Sequence, residues 1–211
     1  MFKDKVGNIN NGLGDIVVLP NGVDFDFFKP RNKDHKGCMN LLFSGTMDYY
    51  ANIDAVVWFV KEIFPKLKEI FSEVKFYIAG ANPSREVREL ASKDVIVTGF
   101  VDDIRLFYDM AAVYVAPLRI AQGIQNKILE AMSMEKAVVT TLKGFEGIDA
   151  VPGRDLLIAN SKEEFFNQIS FLLTNFKRRK EIGTSARKYI LHSHRWDNNM
   201  SLLKDLLLHN K

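Results

Sequence analysis

Val113-Tyr114-Val115-Ala116-Pro117, followed one residue later by Arg119-Ile120-Ala121-Gln122-Gly123-Ile124-Gln125-Asn126-Lys127-Ile128-Leu129-Glu130-Ala131-Met132, is the stretch whose reading decides the fold. The first run is short and apolar, the pattern of a buried strand. The second begins as a polar loop with one glycine and becomes helical from Ile124 to about Met134. A strand that feeds a helix through such a loop leaves backbone N–H groups pointing out of the helix N-terminus. They have no intrahelical acceptor and suit an anion. Arg119 and Lys127 flank that position, and Gln122, Asn126 and Glu130 stand close by.

The same alternation repeats outward along the chain. Met39–Ser44, Lys75–Gly80, Val95–Gly99, Ala137–Thr141 and Leu156–Ile158 read as strands. Between them, Ile53 to Phe71 carries apolar residues at steps of three and four, one face of a helix that Pro65 kinks or divides. Shorter helices are expected over Pro83–Ala91 and Asp103–Ala111. Ser161, with Glu164 three residues on, is an N-cap for a helix reaching about Asn175. Two more follow, at Lys177–Leu191 and Asp197–Leu208. Asp15–Leu19 reads as a short strand before the turn chemistry of Pro20-Asn21-Gly22, and residues 1–14 as a polar, Gly/Asn-rich loop. Lys29–Cys38 reads as a charged linker.

Strands apolar on both faces that alternate with helices predict an α/β fold, a parallel sheet with helices on both faces. Ligands on such sheets bind beyond the carboxyl ends of the strands, where the strand order reverses. Five loops occupy those ends: Gly45–Asn52, Gly80–Pro83, Gly99–Asp103, Pro117–Gln125 and Thr141–Gly147.

Composition narrows the function classes. The chain has 211 residues, 47% of them hydrophobic and 26% charged, which fits a globular domain. A net charge of +3 without a dense basic run does not argue for nucleic acid. The single Cys38 excludes an intramolecular disulfide framework and fits a reducing compartment. Four histidines and one cysteine make no metal-ligand spacing, and His192-Ser193-His194 reads as a helix end. No stretch approaches 18 apolar residues, and the first residues lack the apolar core of a signal peptide. The reading is a soluble, cytoplasmic protein, with peripheral membrane contact left open.

Taken in order, Pro20-Asn21-Gly22-Val23-Asp24, Phe43-Ser44-Gly45, Ile78-Ala79-Gly80, Val97-Thr98-Gly99, Gly123 to Glu130-Ala131-Met132 and Ala137-Val138-Val139 resemble the nucleotide-sugar-binding half of group 1 glycosyltransferases. Gly45-Thr46-Met47-Asp48-Tyr49, Ala116-Pro117-Leu118-Arg119 and Gln125-Asn126-Lys127 are closer still to bacterial sugar transferases of exopolysaccharide synthesis. The resemblance covers residues from about 15 to 200. It implies one Rossmann-like half of a GT-B fold, whose active site lies in the cleft between two such domains. It also implies a retaining transfer from a nucleoside-diphosphate sugar to a polysaccharide or lipid-linked acceptor, with no cofactor and no metal.

The family signature is a Glu, seven residues and a second Glu. Carried over, it assigns Glu130 to the ribose hydroxyls and the turn Gly123, Ile124, Gln125 and Asn126 to the diphosphate. The first Glu, which touches the donor sugar, falls on Gln122, an amide that can hydrogen-bond a hydroxyl but carries no charge. Gln122 and Glu130 are thus the expected catalytic pair. Relatives place an Arg just after the first-strand glycine, Gly45, and a Lys six residues later. Those positions are Thr46 and Asn52, so Arg119 and Lys127 are the expected substitutes for the missing cations. Gly99 and Val101 stand where relatives hold the base with main-chain groups.

Blander readings accompany these. Glu130 could be a solvated helix residue paired with Lys127 at i, i+3. Gly45 and Gly99 could be turns only, and Asn21-Gly22 a structural turn. Trp58 and Trp196 read as packing residues. Glu146 either closes over the nucleotide or is simply exposed. The expected organisation is a residual interdomain linker with a short strand over 1–36, the donor-binding domain over 37–192, and a helix over 193–211 that crosses to an N-terminal domain. The resemblance implies that this first domain is missing here. The chain is then an excised piece, a truncated reading frame or one subunit of a split enzyme, weak or inactive alone. A non-catalytic nucleotide-sugar-binding module is the alternative. A nucleotide-sugar epimerase would need acidic residues in the cleft, which Gln122 does not favour.

Overall fold

The computed structural model describes residues 21–31 and 37–209. The expected strand at Asp15–Leu19 and the polar stretch before it lie outside the described residues. Six strands, β1 (Asn40–Ser44), β2 (Lys75–Ala79), β3 (Val95–Gly99), β4 (Val113–Ala116), β5 (Ala137–Thr140) and β6 (Leu157–Ile158), form one sheet in the order β3-β2-β1-β4-β5-β6. Every pairing is parallel. The strands are short; the central β4 and β5 are buried at every residue, whereas β3 at the sheet edge is mostly half-buried.

The helices are α1 (Tyr50–Glu62), α2 (Phe64–Ile70), α3 (Arg85–Arg88), α4 (Arg105–Met110), α5 (Asn126–Ser133), α6 (Leu142–Phe145), α7 (Lys162–Thr174), α8 (Phe176–Ser193) and α9 (Trp196–His209). Pro65 divides the expected long helix: it occupies the first turn of α2, where its missing N–H costs nothing. Phe59, Phe64 and Phe76 pack as an aromatic cluster beneath that break, with Phe59 and Phe76 centroids 4.7 Å apart. Ser161 caps α7 by accepting from Glu164 N at 3.1 Å, and Glu164 accepts in return from Asn160 N at 2.6 Å. Helix α6 lies inside the expected Thr141–Gly147 loop. Four residues cannot display a helical period, and the Thr141 side chain that accepts from Gly144 N was the only local cue.

Residues 21–31 lie against the domain. Val23 is buried, Phe28 O accepts from Ser133 Oγ at 2.6 Å, and Arg31 pairs with Asp103 and Asp109 at 3.0 and 2.9 Å. Asn21-Gly22 is not a hydrogen-bonded turn. His194, at the end of α8, donates from Nδ1 to Asn21 O, 2.8 Å away. A side chain at Gly22 would overlap the Trp196 indole. Trp58 packs edge-on against Phe165, so both tryptophans serve packing. On α9, Leu208 is exposed, and the side chains of Leu202, Leu206 and Leu207 lie outside the described residues. No described helix is long and apolar enough to cross a membrane.

Candidate active site

The strand order reverses between β1 and β4: the chain runs outward from β1 to β2 and β3, then crosses back to place β4 on the other side of β1. In open α/β sheets this switch point is where a ligand crevice opens at the carboxyl ends. Two loops meet there, Gly45–Tyr49 after β1 and Pro117–Gln125 after β4.

Gly45 and Gly80 set the floor. Gly45 has φ 149° and Gly80 has φ 146°, conformations that side chains rarely adopt. A Cβ at Gly80 would overlap the carbonyl oxygen of Gly45, so the two strand ends approach at backbone distance. A Cβ at Gly45 would stand 2.8 Å from Asn52 Nδ2 and 3.0 Å from Lys127 Nζ. The glycine therefore leaves room for the one place where α1 and α5 touch through polar groups. Asn52 donates to Thr46 O at 2.8 Å and accepts from the Lys127 ammonium. The ammonium also lies 4.8 Å from the centre of the Phe43 ring. Burial pushes Lys127 down to about 8, against the pull of Glu130.

Helix α5 starts with no side-chain cap. Its N-cap residue Gln125 is extended, and Gln125 O receives Ile128 N at 2.9 Å. The turn before it braces itself: Gln125 Nε2 donates to Gly123 O at 3.1 Å and to Gln122 O at 3.3 Å. Gly147 packs against Ile124, and Thr141 Oγ1 donates to Leu118 O at 2.5 Å. The loop after β5 therefore backs the turn. Asn126, at the first helical position, accepts from Asn21 Nδ2 at 2.9 Å. The Asn21 segment thus reaches the site, which local turn chemistry gave no reason to expect. Gln122 is exposed at the rim.

Glu130, one turn into α5, faces inward. Its Oε2 lies 3.2 Å from the Tyr108 hydroxyl. That hydroxyl is also 2.9 Å from Ser44 Oγ, which in turn is 3.0 Å from the Tyr114 hydroxyl. Burial pushes Glu130 up, while Tyr108 and then Lys127 pull it down. Tyr108 and Tyr114 are fully buried, and burial raises both phenols so that they keep their protons. The bland pairing of Glu130 with Lys127 is not what the side chains do. Lys127 turns to Asn52, and Glu130 turns to Tyr108.

The fold thus gathers Gly45, Thr46, Asn52, Asn126, Lys127 and Glu130 around the turn Gly123–Gln125. It does not bring Arg119 to them. Arg119 forms a two-pronged pair with Asp54 and lies 5.3 Å from the Trp58 ring centre. Asp54 is two residues on from Asn52, on a different face of α1. The guanidinium expected beside the helix start is therefore held on the flank of α1. Gly99 and Val101 sit at the same edge of the sheet but two strands from β1, about 10 Å away at ordinary strand spacing. Glu146 pairs with Lys143 at 2.7 Å, both exposed. Ser44, Tyr108 and Tyr114 are the site residues that sequence reasoning missed. Among the described residues no group of three His, Cys, Asp or Glu could hold a metal ion.

With this geometry in view, residues 39–175, more than half of the chain, match the family described as glycosyl transferases group 1. The chain belongs to that family. Among curated relatives, it is 27% identical over 173 residues to an uncharacterized 44.6 kDa protein in the cps region of Klebsiella pneumoniae, covering 77% of this chain and 44% of that protein. It is 23% identical over 205 residues to a lipopolysaccharide 1,2-N-acetylglucosaminetransferase of Salmonella typhimurium, covering 87% and 54%. The chain therefore spans about half the length of these relatives. The fold matches a glycosyltransferase from Rickettsia africae with a TM-score of 0.73 at 18% identity, over 93% of this chain and 58% of that one. It also matches the C-terminal domain of a group 1 family glycosyl transferase from Francisella tularensis, with a TM-score of 0.66 at 16% identity, over 83% of this chain and all of that domain. An Anabaena protein solved in complex with UDP and glucose aligns at 0.71 and 15% identity, over 92% and 56%. The fold expected from the sequence, a Rossmann-like α/β sheet of the kind that forms one half of a GT-B fold, is the fold found.

Proposed function

We propose that this chain is the donor-binding half of a retaining glycosyltransferase. It takes a sugar from a nucleoside-diphosphate sugar for transfer to a polysaccharide or lipid-linked acceptor. One observation carries the reading: an uncapped helix start, a half-buried ammonium and an inward-facing carboxylate converge at the switch point of the sheet. The first amides of α5 and the turn Gly123–Asn126 suit a diphosphate. Lys127, held over the β1 end by Asn52, supplies the cation that offsets charge on the leaving nucleoside diphosphate. Glu130 takes the ribose hydroxyls, and Gln122 at the rim takes a hydroxyl of the donor sugar. Gly99 and Val101 stand two strands away, a spacing suited to a base separated from its diphosphate by a ribose. The names of the Salmonella and Anabaena proteins, an N-acetylglucosaminetransferase and a protein holding UDP and glucose, support this donor class.

Transfer in this reading needs no metal or cofactor and requires a second domain that brings the acceptor, so the chain alone binds nucleotide and transfers weakly. The lone Cys38 fits a cytoplasmic setting, with membrane contact through the other domain. A thermal-shift panel of nucleoside diphosphates and their sugars tests the donor claim. Stabilisation by one base over the others is the expected result. A flat panel would sink it. The exposed, uncharged Gln122 favours one second reading, a non-catalytic nucleotide-sugar-binding module or subunit of a split enzyme. Hydrolysis or transfer by the purified chain would argue against that.

A further inference from the structure

Behind the carboxylate of Glu130 lies a run of buried hydroxyls that the proposed chemistry has not used. Its proton order follows from what each group can do. Ser44 N–H is a pure donor and lies 3.3 Å from the Tyr114 hydroxyl oxygen. Tyr114 then gives its own proton to Ser44 Oγ at 3.0 Å, and Ser44 gives its proton to the Tyr108 oxygen at 2.9 Å. Tyr108 has one proton left to place, and Glu130 Oε2 accepts it at 3.2 Å. The Lys127 carbonyl is the weaker acceptor at 3.4 Å. Every hydroxyl in this order donates once, and the run ends on an atom that can only accept while Glu130 is ionised. Hydrogen bonds aligned this way polarise one another.

The ring that ends the run is held on two sides. Tyr108 meets Phe28 edge-on at 6.1 Å and Tyr114 at 5.6 Å. It rises from α4, passes the end of β1 and reaches α5. Its hydroxyl thus fixes one oxygen of Glu130 and leaves the other unengaged by it.

We propose that Tyr108 is a positioning residue. Through the Ser44–Tyr114 relay it holds Glu130 as an oriented carboxylate with one oxygen turned to the ligand, and so sets a preference for ribose over 2′-deoxyribose in the bound nucleotide. This rests on the donor-binding reading above and adds to it the source of sugar selectivity. A cis-diol needs a carboxylate whose direction is fixed before binding. A freely rotating one takes either sugar with smaller discrimination.

The test uses the purified chain and the nucleoside diphosphate that stabilises it most among UDP, GDP, ADP and CDP, together with its 2′-deoxy form and inorganic pyrophosphate. Calorimetry should give the wild type a preference for the ribo form of roughly ten- to hundredfold, the range of one hydrogen bond to a charged group. Tyr108→Phe should reduce that preference to within about threefold while pyrophosphate affinity stays the same. A purely structural role would weaken all three ligands together, which overturns the proposal. The acid limb of the ribo preference should also move to higher pH in Tyr108→Phe, because the lost hydrogen bond favours the ionised carboxylate. Ser44→Ala, which removes the donor to Tyr108, should lower the preference in the same direction and decides the matter if Tyr108→Phe does not fold. A preference unchanged in the folded variants, or absent from the wild type, overturns the inference alone. Absence of binding by the wild type to any of the four diphosphates overturns the donor-binding reading with it.

Discussion

Two lysines at opposite ends of the sheet have the same electrostatic character and different surroundings. Lys127 stands at the carboxyl end beside β1, and Lys136 stands at the amino end, just before β5. Burial pushes both down to about 8. Lys136 donates to main-chain carbonyls at the end of α4, Asp109 O at 3.3 Å and Ala111 O at 3.2 Å. Lys127 meets a side-chain amide next to an uncapped helix start. A desolvated lysine is therefore not a site marker by itself. The partner decides: rigid carbonyls make Lys136 a clamp on the fold, whereas a side-chain amide holds Lys127 where an incoming anion can compete for its protons.

The largest expected effect comes from removing the close approach that shapes the carboxyl end. Gly80→Ala puts a Cβ into Gly45 O at a φ that alanine resists. It should cost about 3 kcal/mol or more, or prevent folding outright. Denaturant unfolding measures it, and a variant of wild-type stability would show that the strand ends can part. At the amino end, Lys136→Met should cost roughly 2 kcal/mol, since one buried and one half-buried carbonyl lose a donor, and leave nucleotide affinity unchanged. Lys127→Ala should do the reverse. It should lose about 2 kcal/mol of nucleoside-diphosphate affinity by calorimetry, with stability changed by less than about 1 kcal/mol. Equal binding by that variant would break the contrast between the two lysines.

The smallest effect is the pH dependence. A lysine lowered to about 8 is protonated below that pH and loses its charge as pH rises through it. Diphosphate affinity should thus be full near neutrality and decline several-fold by about one unit above the midpoint. Lys127→Arg, which does not titrate there, should bind with a flat profile. An identical decline in that variant would assign the titration to another group.

Most of the architecture was legible because it is written in local patterns. Apolar runs, the first three closed by glycine, became β1 to β5. The steps of three and four in residues 53–71 became α1 and α2, and Ser161 with Glu164 became a cap. Helix α6 escaped because four residues carry no period. Of the site, the turn before α5, Lys127 and Glu130 were readable from a strand–loop–helix pattern and a spaced carboxylate. Ser44, Tyr108 and Tyr114 were not. A tyrosine on a helix and another on a strand announce nothing until their hydroxyls meet at one serine. Arg119 looked like a phosphate ligand for the same reason in reverse: chain order placed it beside the turn, while its partner Asp54 lay in a helix many residues earlier.

The sequence by itself determined which segments are strands, which are helices and in what order, because periodicity and capping are properties of neighbours along the chain. It also determined that the helix after β4 begins with free amides and carries a lysine and a glutamate in its first turns. Only the tertiary structure decided that β4 lies beside β1. That adjacency brings Asn52 to Lys127 and Tyr108 to Glu130 and leaves Arg119 on the flank of α1. Strand order and side-chain pairing depend on contacts between residues 22 to 75 positions apart, set by how the whole core packs.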